Sequence, residues 1–404
     1  MSSKTQVIVI GAGPAGLSTA YYLKQAGIPF QVLERAATVG ETWRDLYPSL
    51  RLNTTRWYSY LPGKKFPWHY PIFPTGKQYY QYLVDYADTF DLTRHIQFGV
   101  TVERLSRTDD GVWCVESTAG EQVVPVVVST TGVFGSPKLP KIPGLDTFEG
   151  EVLHGSDYHG PEPFAGKRVM VVGNGPTGVD LAPELGREPS VPPVLLSMRT
   201  GVMLRPRYLY GLPKHAWAII GDWLPDALGK PLVQHMTDIK FETVEQVGIR
   251  VPPPDEESTA AGTRGAELIH AVRNGEVVCV AGPRRFFGRC VELDDGTVHE
   301  LDAVIMATGY KPVLYQYLDE SVTVSDYFNW PVMDEENYTK RDWLPHDYRS
   351  NRAREVKGLP GLFIVGIYYQ GKGAMYNFRV EAQIGVEEIE RRLATPRRSR
   401  TLMG

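Results

Sequence analysis

Two glycine runs in this 404-residue chain have the spacing a backbone needs to wrap a pyrophosphate. Gly11-Ala12-Gly13-Pro14-Ala15-Gly16 and Gly173-Asn174-Gly175-Pro176-Thr177-Gly178 both read G-x-G-x-x-G. In such a loop the first glycine turns the chain sharply, and the second lets the backbone approach the phosphates. The third lets a helix pack close to a strand. The free N–H groups and positive dipole end of the following helix then meet the anion. Alone the pattern is weak, because glycine turns are common. Gly11, Gly13, Ala15, Gly16, Gly173, Gly175, Thr177 and Gly178 become candidate dinucleotide contacts only if the flanking elements agree.

They do agree. Gln6 to Ile10 is a continuous β-branched run, as expected of a strand covered on both faces, and a helix is predicted from Leu17 to about Ala26. A second strand, Phe30 to Leu33, ends in Glu34-Arg35, where the acid can accept hydrogen bonds from an adenosine ribose. The second unit repeats this order, with a strand from Arg168 to Val172, a helix from Val179 to Gly186 and a strand from Val194 to Ser197. Its last strand ends in Ser197-Met198-Arg199-Thr200 instead of an acid. An arginine there can take the 2′-phosphate of NADP; the alternative is an ordinary solvated arginine. Arg205 and Arg207 are either further phosphate contacts or surface charges.

Two such units imply two dinucleotides, one kept and one exchanged. A buried strand from Leu301 ends in Ala307-Thr308-Gly309-Tyr310, and another, Val126 to Thr130, ends in Thr131-Gly132. Strand ends of this kind are where the chain crosses between domains in flavoproteins that hold two dinucleotides. A last strand near Pro360 to Gly366 leads through Gly371 and Gly373 into a helix from near Ala374 to about Leu393. Its N-terminus would stabilise negative charge on a reduced flavin ring. The predicted fold is therefore α/β, with two Rossmann-like dinucleotide-binding domains. The NADP-binding domain, residues 161–307, is inserted into a discontinuous FAD-binding domain, residues 1–160 and 308–404. Pro- and Gly-rich stretches at Ser136 to Gly144 and Gly160 to Gly166 read as linkers, and residues 208–250 as an irregular, partly helical insertion. No repeat beyond the two Rossmann units is visible.

Composition excludes several classes. A net charge of −4 without a basic block in the folded part disfavours nucleic acid. Three cysteines without a C-x-x-C pair disfavour a disulfide framework and a thiol-redox centre, and suit a reducing cytoplasm. The first strand starts by Thr5, so no signal peptide is expected, and no apolar run approaches the roughly 18 residues of a spanning helix. The basic tail Arg397-Arg398-Ser399-Arg400 reads as a solvated end. His154 and His159 do not read as metal ligands: their spacing fits no helical face and no cysteine or acidic cluster accompanies them.

Between the two units the chain reads Phe148-Glu149-Gly150-Glu151-Val152-Leu153-His154-Gly155-Ser156-Asp157-Tyr158. This resembles F-x-G-x-x-x-H-x-x-x-Y, the identifying pattern of the flavin-containing monooxygenases; Baeyer–Villiger monooxygenases carry a similar pattern ending in tryptophan. Gly40-Glu41-Thr42-Trp43-Arg44 is similar to the family's G-G-x-W segment with Glu41 in place of one glycine. The run Tyr47 to Asn53, then Pro74-Thr75 and residues 82–87, resembles the plant YUCCA-type branch, as does the stretch from Ile269 through Gly309. The chain departs from the pattern at Glu41 and at His159, where the family has Lys or Arg.

The resemblance implies FAD and NADPH as cofactors and a particular cycle. NADPH reduces FAD, reduced flavin and O2 form a C4a-hydroperoxide, and one oxygen passes to a nucleophilic substrate while the protein orients the groups and excludes water. Asn53 matches the family asparagine beside the flavin C4a–N5 edge, with a turn or capping asparagine as the alternative. His154 is expected to organise the linker and the NADP position, or to be purely structural. Gly40, Thr42, Trp43, Arg44, Gly132, Thr308, Gly309, Gln370, Ala374 and Met375 complete the expected cofactor contacts. The aromatic-rich residues 57–82 fit ordinary loop packing better than a wall for a flat substrate.

The leading function is an NADPH-dependent monooxygenase acting on nitrogen, sulfur or an activated carbonyl carbon of a small, in one alternative aromatic, molecule. Competing readings are a Baeyer–Villiger-type enzyme, an NADPH oxidase or flavin reductase that never transfers oxygen, and a partner-binding flavoprotein without turnover. The expected partners are O2 and an organic substrate, with neither nucleic acid nor membrane, and with a homodimer left open.

Overall fold

A computed structural model describes residues 4–132, 134–241, 244–253, 262–319, 322, 354–356, 358–367 and 373–394. Gln370 and the basic tail lie outside the described residues.

The strands that matter are β1 (Val7–Ile10), β2 (Phe30–Glu34), β3 (Ile96–Phe98), β4 (Val126–Ser129), β5 (Glu151–His154), β6 (Val169–Val172), β7 (Val194–Ser197), β8 (Val277–Val280), β9 (Ala303–Met306) and β10 (Leu362–Ile364). The longer helices are α1 (Pro14–Gln25), α2 (Gly76–Thr89), α3 (Pro176–Gly186), α4 (Lys214–Trp223), α5 (Asp226–Asp238), α6 (Ala266–Arg273) and α7 (Ala374–Ala394). Both glycine-loop helices start earlier than the sequence suggested, because Pro14 and Pro176 open the first turn, where their fixed φ fits and no N–H is needed.

Two five-stranded parallel sheets result, in the orders β10-β4-β1-β2-β3 and β8-β7-β6-β9-β5. Each has its glycine-loop strand at the centre, and each reverses strand order beside it, which opens a crevice at the strands' carboxyl ends. β5 lies upstream of residue 161, yet it pairs Glu151–His154 with β9. The second unit therefore begins earlier than the sequence suggested.

Alternate residues of each central strand enter separate cores. Val7 and Val9 pack with α1, α2 and α7, whereas Ile8 and Ile10 pack under a three-stranded antiparallel meander (Val102–Arg107, Trp113–Ser117, Gly120–Val124). Likewise Val169 and Val171 face α3 and α6, and Met170 and Val172 face a meander of Pro283–Phe287, Cys290–Leu293 and Val298–Glu300. Burial on both faces is why these strands are uninterrupted apolar runs. The repeat is thus larger than strand, loop and helix: each unit also carries a meander on its second face.

The chain leaves the first unit and returns to it along one track. Ser136–Pro137 pairs antiparallel with Tyr310–Lys311. Among the described residues, no helix is long and apolar enough to cross a membrane.

Candidate functional site

The two glycine loops have the same construction. Gly11 sits at φ +101° and Gly173 at φ +112°, conformations that favour glycine. A Cβ on Gly16 would lie 1.9 Å from the Gly11 carbonyl oxygen, and one on Gly178 would lie 1.8 Å from that of Gly173. These glycines bring helix and strand together. Gly13 and Gly175 differ: each is extended, caps its helix without a side-chain hydrogen bond, and has nothing within 4 Å of where a Cβ would stand. An uncapped N-terminus with open space in front is what an anion needs, so both loops fit a pyrophosphate. Each loop is backed by a strand end. Thr130 donates its hydroxyl to the carbonyls of Ile10 (2.7 Å) and Gly11 (3.0 Å), and the Ala307 carbonyl stands behind Gly173.

The units diverge at the adenosine end. Glu34 is buried at the end of β2 and accepts from the backbone N–H groups of Ala12 (2.5 Å) and Ala36 (2.9 Å), so its carboxylate braces the loop beside which a ribose would lie. Arg35 is exposed and donates to the Gly135 carbonyl. After β7, Ser197 turns inward and donates to the Ala281 carbonyl at 3.0 Å. Arg199 and Thr200 are exposed, and the Arg199 guanidinium has no side-chain partner among the described residues. Asn174 donates from its amide to the Gly201 carbonyl, fastening the second glycine loop to the segment that carries Arg199.

The start of α7 collects the other expected residues of the first unit. A Cβ on Gly366 would stand 2.7 Å from the Ala15 methyl, and one on Gly132 would be 3.9 Å from the Gly366 carbonyl oxygen. Gly373 lies against the Thr54 side chain, which puts Asn53, exposed, beside the first turn of α7. Trp43 meets Tyr79 edge-on at 4.6 Å, and Tyr79 donates to the Met375 sulfur at 3.0 Å, so the Gly40–Arg44 segment also reaches α7. Gly40 (φ +61°) donates to the Ala12 carbonyl. Thr42 and Arg44 are exposed, and Arg44 pairs with Glu41 and Asp45, both at 2.6 Å.

The inter-unit motif has a task for every residue. A Cβ on Gly150 would strike the Phe148 ring and the Asp302 carbonyl, and Phe148 packs on Phe286 with centroids 5.3 Å apart. His154 is buried at the end of β5. Its Nε2 lies 3.0 Å from the Gly309 carbonyl and its Nδ1 accepts from the Ser156 N–H at 3.1 Å. That pattern requires a neutral ring protonated on Nε2, and burial pushes the His154 pKa below its ordinary value, in agreement. The Lys138 N–H shares the same Gly309 carbonyl, and the Thr308 hydroxyl donates to the Lys138 carbonyl, so His154 clamps the paired crossing strands. Tyr158 is buried and donates to Glu184 at 3.4 Å.

A family model described as flavin-binding monooxygenase-like matches residues 4–329. The chain belongs to this family. Among curated relatives it is 32% identical to the probable indole-3-pyruvate monooxygenase YUCCA9 of Arabidopsis thaliana, over 78% of this chain and 77% of that protein. It is 29% identical to YUCCA8 of the same plant, over 96% and 91%. Among solved structures, a flavin-containing monooxygenase from Stenotrophomonas maltophilia covers 96% of this chain and 99% of its own, with a TM-score of 0.69 at 22% identity. A cyclohexanone monooxygenase from Rhodococcus sp. Phi1 gives a TM-score of 0.67 at 20% identity, over 96% and 85%. Members of the flavin-binding monooxygenase-like family are FAD-dependent NADPH monooxygenases, and this chain is one of them, with FAD and NADP as its cofactors. Among its described residues no group of three or more His, Cys, Asp or Glu could hold a metal.

Some site features escaped the sequence reading. Thr130 is one. Others are Tyr47, which donates to Asp180 at 2.9 Å, and Ser49, whose N–H donates to Glu184 at 3.0 Å. Asp180 and Glu184 stand one turn apart on α3, a spacing visible in the sequence, but their partners lie far upstream. The aromatic stretch resolves mainly into packing: Tyr79, Tyr82 and Tyr86 bury one face of α2, and Phe66 stacks on Tyr82 at 4.2 Å. Tyr58 instead reaches Tyr376 on α7 (5.7 Å) and His215 on α4 (5.9 Å), bridging the first unit to the helical insertion.

Proposed function

We propose that this chain is an NADPH- and O2-dependent monooxygenase that places one oxygen atom on a small organic substrate, at nitrogen, sulfur or an activated carbonyl carbon. The observation that carries the reading is the duplicated glycine cradle. Two uncapped helix N-termini each stand behind an open glycine, one followed by a buried acid and the other by an exposed arginine. FAD held by the first unit and NADPH held by the second supply the redox chemistry that activates O2.

The chain's own residues bind, orient and shield. Gly11, Gly13, Ala15 and Gly16 would take the FAD pyrophosphate on backbone N–H groups, with Glu34 and Arg35 toward its adenosine. Gly40, Thr42, Trp43, Arg44, Gly132, Ala374 and Met375 would border the flavin. Gly173, Gly175, Thr177 and Gly178 would take the NADPH pyrophosphate, with Ser197, Arg199 and Thr200 at its adenosine end and Thr308 and Gly309 where the chain crosses. His154, kept neutral, holds that crossing in place instead of moving a proton. The Asn53 amide both donates and accepts, so it can hold a reacting oxygen without protonating it. The cytoplasm is the proposed working compartment, in keeping with three free cysteines.

Because the plant relatives are named indole-3-pyruvate monooxygenases, an aromatic 2-oxo acid is the first substrate to test, beside a tertiary amine, a thioether and a cyclic ketone. Product formed per NADPH consumed is the measurement; one class should approach one to one. Appearance of all consumed NADPH as hydrogen peroxide with every class would make the chain an NADPH oxidase and sink the proposal. Asn53→Leu should keep FAD and flavin reduction but lower product per NADPH about 10- to 100-fold, the loss expected of one hydrogen bond to developing charge. If flavin reduction collapses while yield survives, Asn53 serves the hydride step instead.

A further inference from the structure

The segment 45–53 belongs by sequence to the first unit, yet its first half is fastened to the second. His159 Nδ1 donates to the Asp45 carbonyl at 2.8 Å, Tyr47 donates to Asp180 at 2.9 Å, and the Ser49 N–H donates to Glu184 at 3.0 Å. Tyr47 is buried in the apolar core of the second unit, and Leu50 packs against the same cluster. The other half of the segment is fastened to the first unit. Leu52 donates to the Pro74 carbonyl (2.8 Å), Gly76 donates back to Leu50 (3.0 Å), and Thr54 rests on Gly373. Asn53 sits inside this second anchorage, between Leu52 and Thr54, four residues past the last tie to α3.

We propose that Asp180 and Glu184 are positioning residues for the oxygenation reaction: through Tyr47 and Ser49 they hold the segment 45–53 on α3 and so set the place of Asn53 against the start of α7. This deepens the assignment of Asn53 made above and rests on it. Asp180 is two residues past Gly178, so it moves with the glycine loop that would carry the NADPH pyrophosphate. Displacement of that loop reaches the segment through the Tyr47 hydroxyl and, one turn along α3, through the Ser49 N–H. Asp180 is faced by Tyr47, by Arg207, which pairs with Glu267 at 2.8 Å, and by Glu184 one turn along α3. Arg207 balances charge in a group of three carboxylates, while the donors that fix direction come from Tyr47, Ser49 and Tyr158. Hydrophobic packing alone would hold the two units together. Hydrogen bonds from two buried hydroxyls and one exposed backbone N–H fix the register in which they meet.

The test is amide hydrogen exchange on FAD-loaded protein, followed by product yield. Tyr47→Phe and Glu184→Ala should raise exchange at residues 49–53 about 10-fold, the effect of one net hydrogen bond, and leave β6 and α7 at wild-type rates. Asp180→Asn, which still offers Tyr47 an acceptor, should stay within about 3-fold of wild type, whereas Asp180→Ala should match Tyr47→Phe. The same loosened variants should lose product per NADPH while KM for NADPH stays within about 2-fold. Unchanged exchange at residues 49–53, or a rise spread across the second unit, overturns the positioning role. So does loosened exchange with full product yield. If Asn53→Leu itself leaves yield intact, the assignment of Asn53 fails separately, and the exchange data still decide whether the tie exists.

Discussion

The second and third glycines of the second loop, the one proposed to carry NADPH, should respond to the same substitution in opposite ways. Gly175 has φ −71° and ψ −177°, a conformation alanine adopts freely, and no atom lies within 4 Å of the added methyl. Losing a good N-cap costs about 0.5–1 kcal/mol, and the less flexible unfolded chain returns about 0.4–1 kcal/mol, so the folded state should be nearly unaffected. The space the methyl takes is the space in which a phosphate must meet backbone N–H groups. One or two charge-assisted hydrogen bonds are then lost, at about 1.5–3 kcal/mol, or roughly 10- to 100-fold in affinity. Gly178→Ala instead sets a methyl 1.8 Å from the Gly173 carbonyl oxygen and 3.4 Å from the Ala307 methyl, with backbone on the close side. The helix must retreat, and about 3 kcal/mol or more of stability should go with it. Urea unfolding of the FAD-loaded protein and NADP+ titration followed by flavin absorbance would separate the two. Equal destabilisation by both changes, or unaltered NADP+ affinity in Gly175→Ala, would refute the division of labour.

Arg199→Ala should raise KM for NADPH roughly 10- to 100-fold and barely alter NADH kinetics; equal loss with both coenzymes would remove Arg199 from the 2′-phosphate. Burial raises the Asp180 carboxyl to about 7, above its unfolded range, so its stabilising share is complete at low pH and is lost as pH climbs through about 7. Urea midpoints between pH 5 and 8 should therefore fall less in Asp180→Asn than in wild type, and parallel slopes would argue against a charged, desolvated Asp180. His154 has the opposite sign. Its lowered pKa means the unfolded chain takes up the proton first, so stability drops as pH falls below about 6.5, and His154→Gln should flatten that part of the curve.

Reading the chain from its residues succeeded where chemistry is local. The glycine loops, the strands before them and the helix at Ala374 are short-range patterns, each set by steric rules within a dozen residues. Helix starts were misplaced only where Pro14 and Pro176 looked like part of a turn. Residues 57–82 were expected to pack as an irregular loop; the packing is there, but Tyr79, Tyr82, Leu83 and Tyr86 have the three- and four-residue spacing of a buried helix face, and the helix from Gly76 was missed. What the residues did not disclose depends on how distant segments meet. Glu34 turns back to brace its own loop, β5 joins the second sheet, and Tyr47 finds Asp180 across the inter-unit boundary. No local spacing encodes those meetings. The paired meanders were missed for a related reason: their strands are short, and only their shared position under a sheet makes them equivalent.

The split first sheet has a consequence for synthesis. Every strand of the second sheet lies between residues 151 and 306, so a chain leaving the ribosome can complete that unit as one contiguous piece. The first sheet pairs Val127 with Leu362 and is covered by α7, so its edge at β4 and its α7 face stay open until β10 and α7 emerge. The second unit, begun later, is therefore finished first, and the amino-terminal half stays exposed for most of translation with its apolar strands unshielded. Truncation before residue 362 should leave a folded second unit attached to an aggregation-prone amino-terminal half.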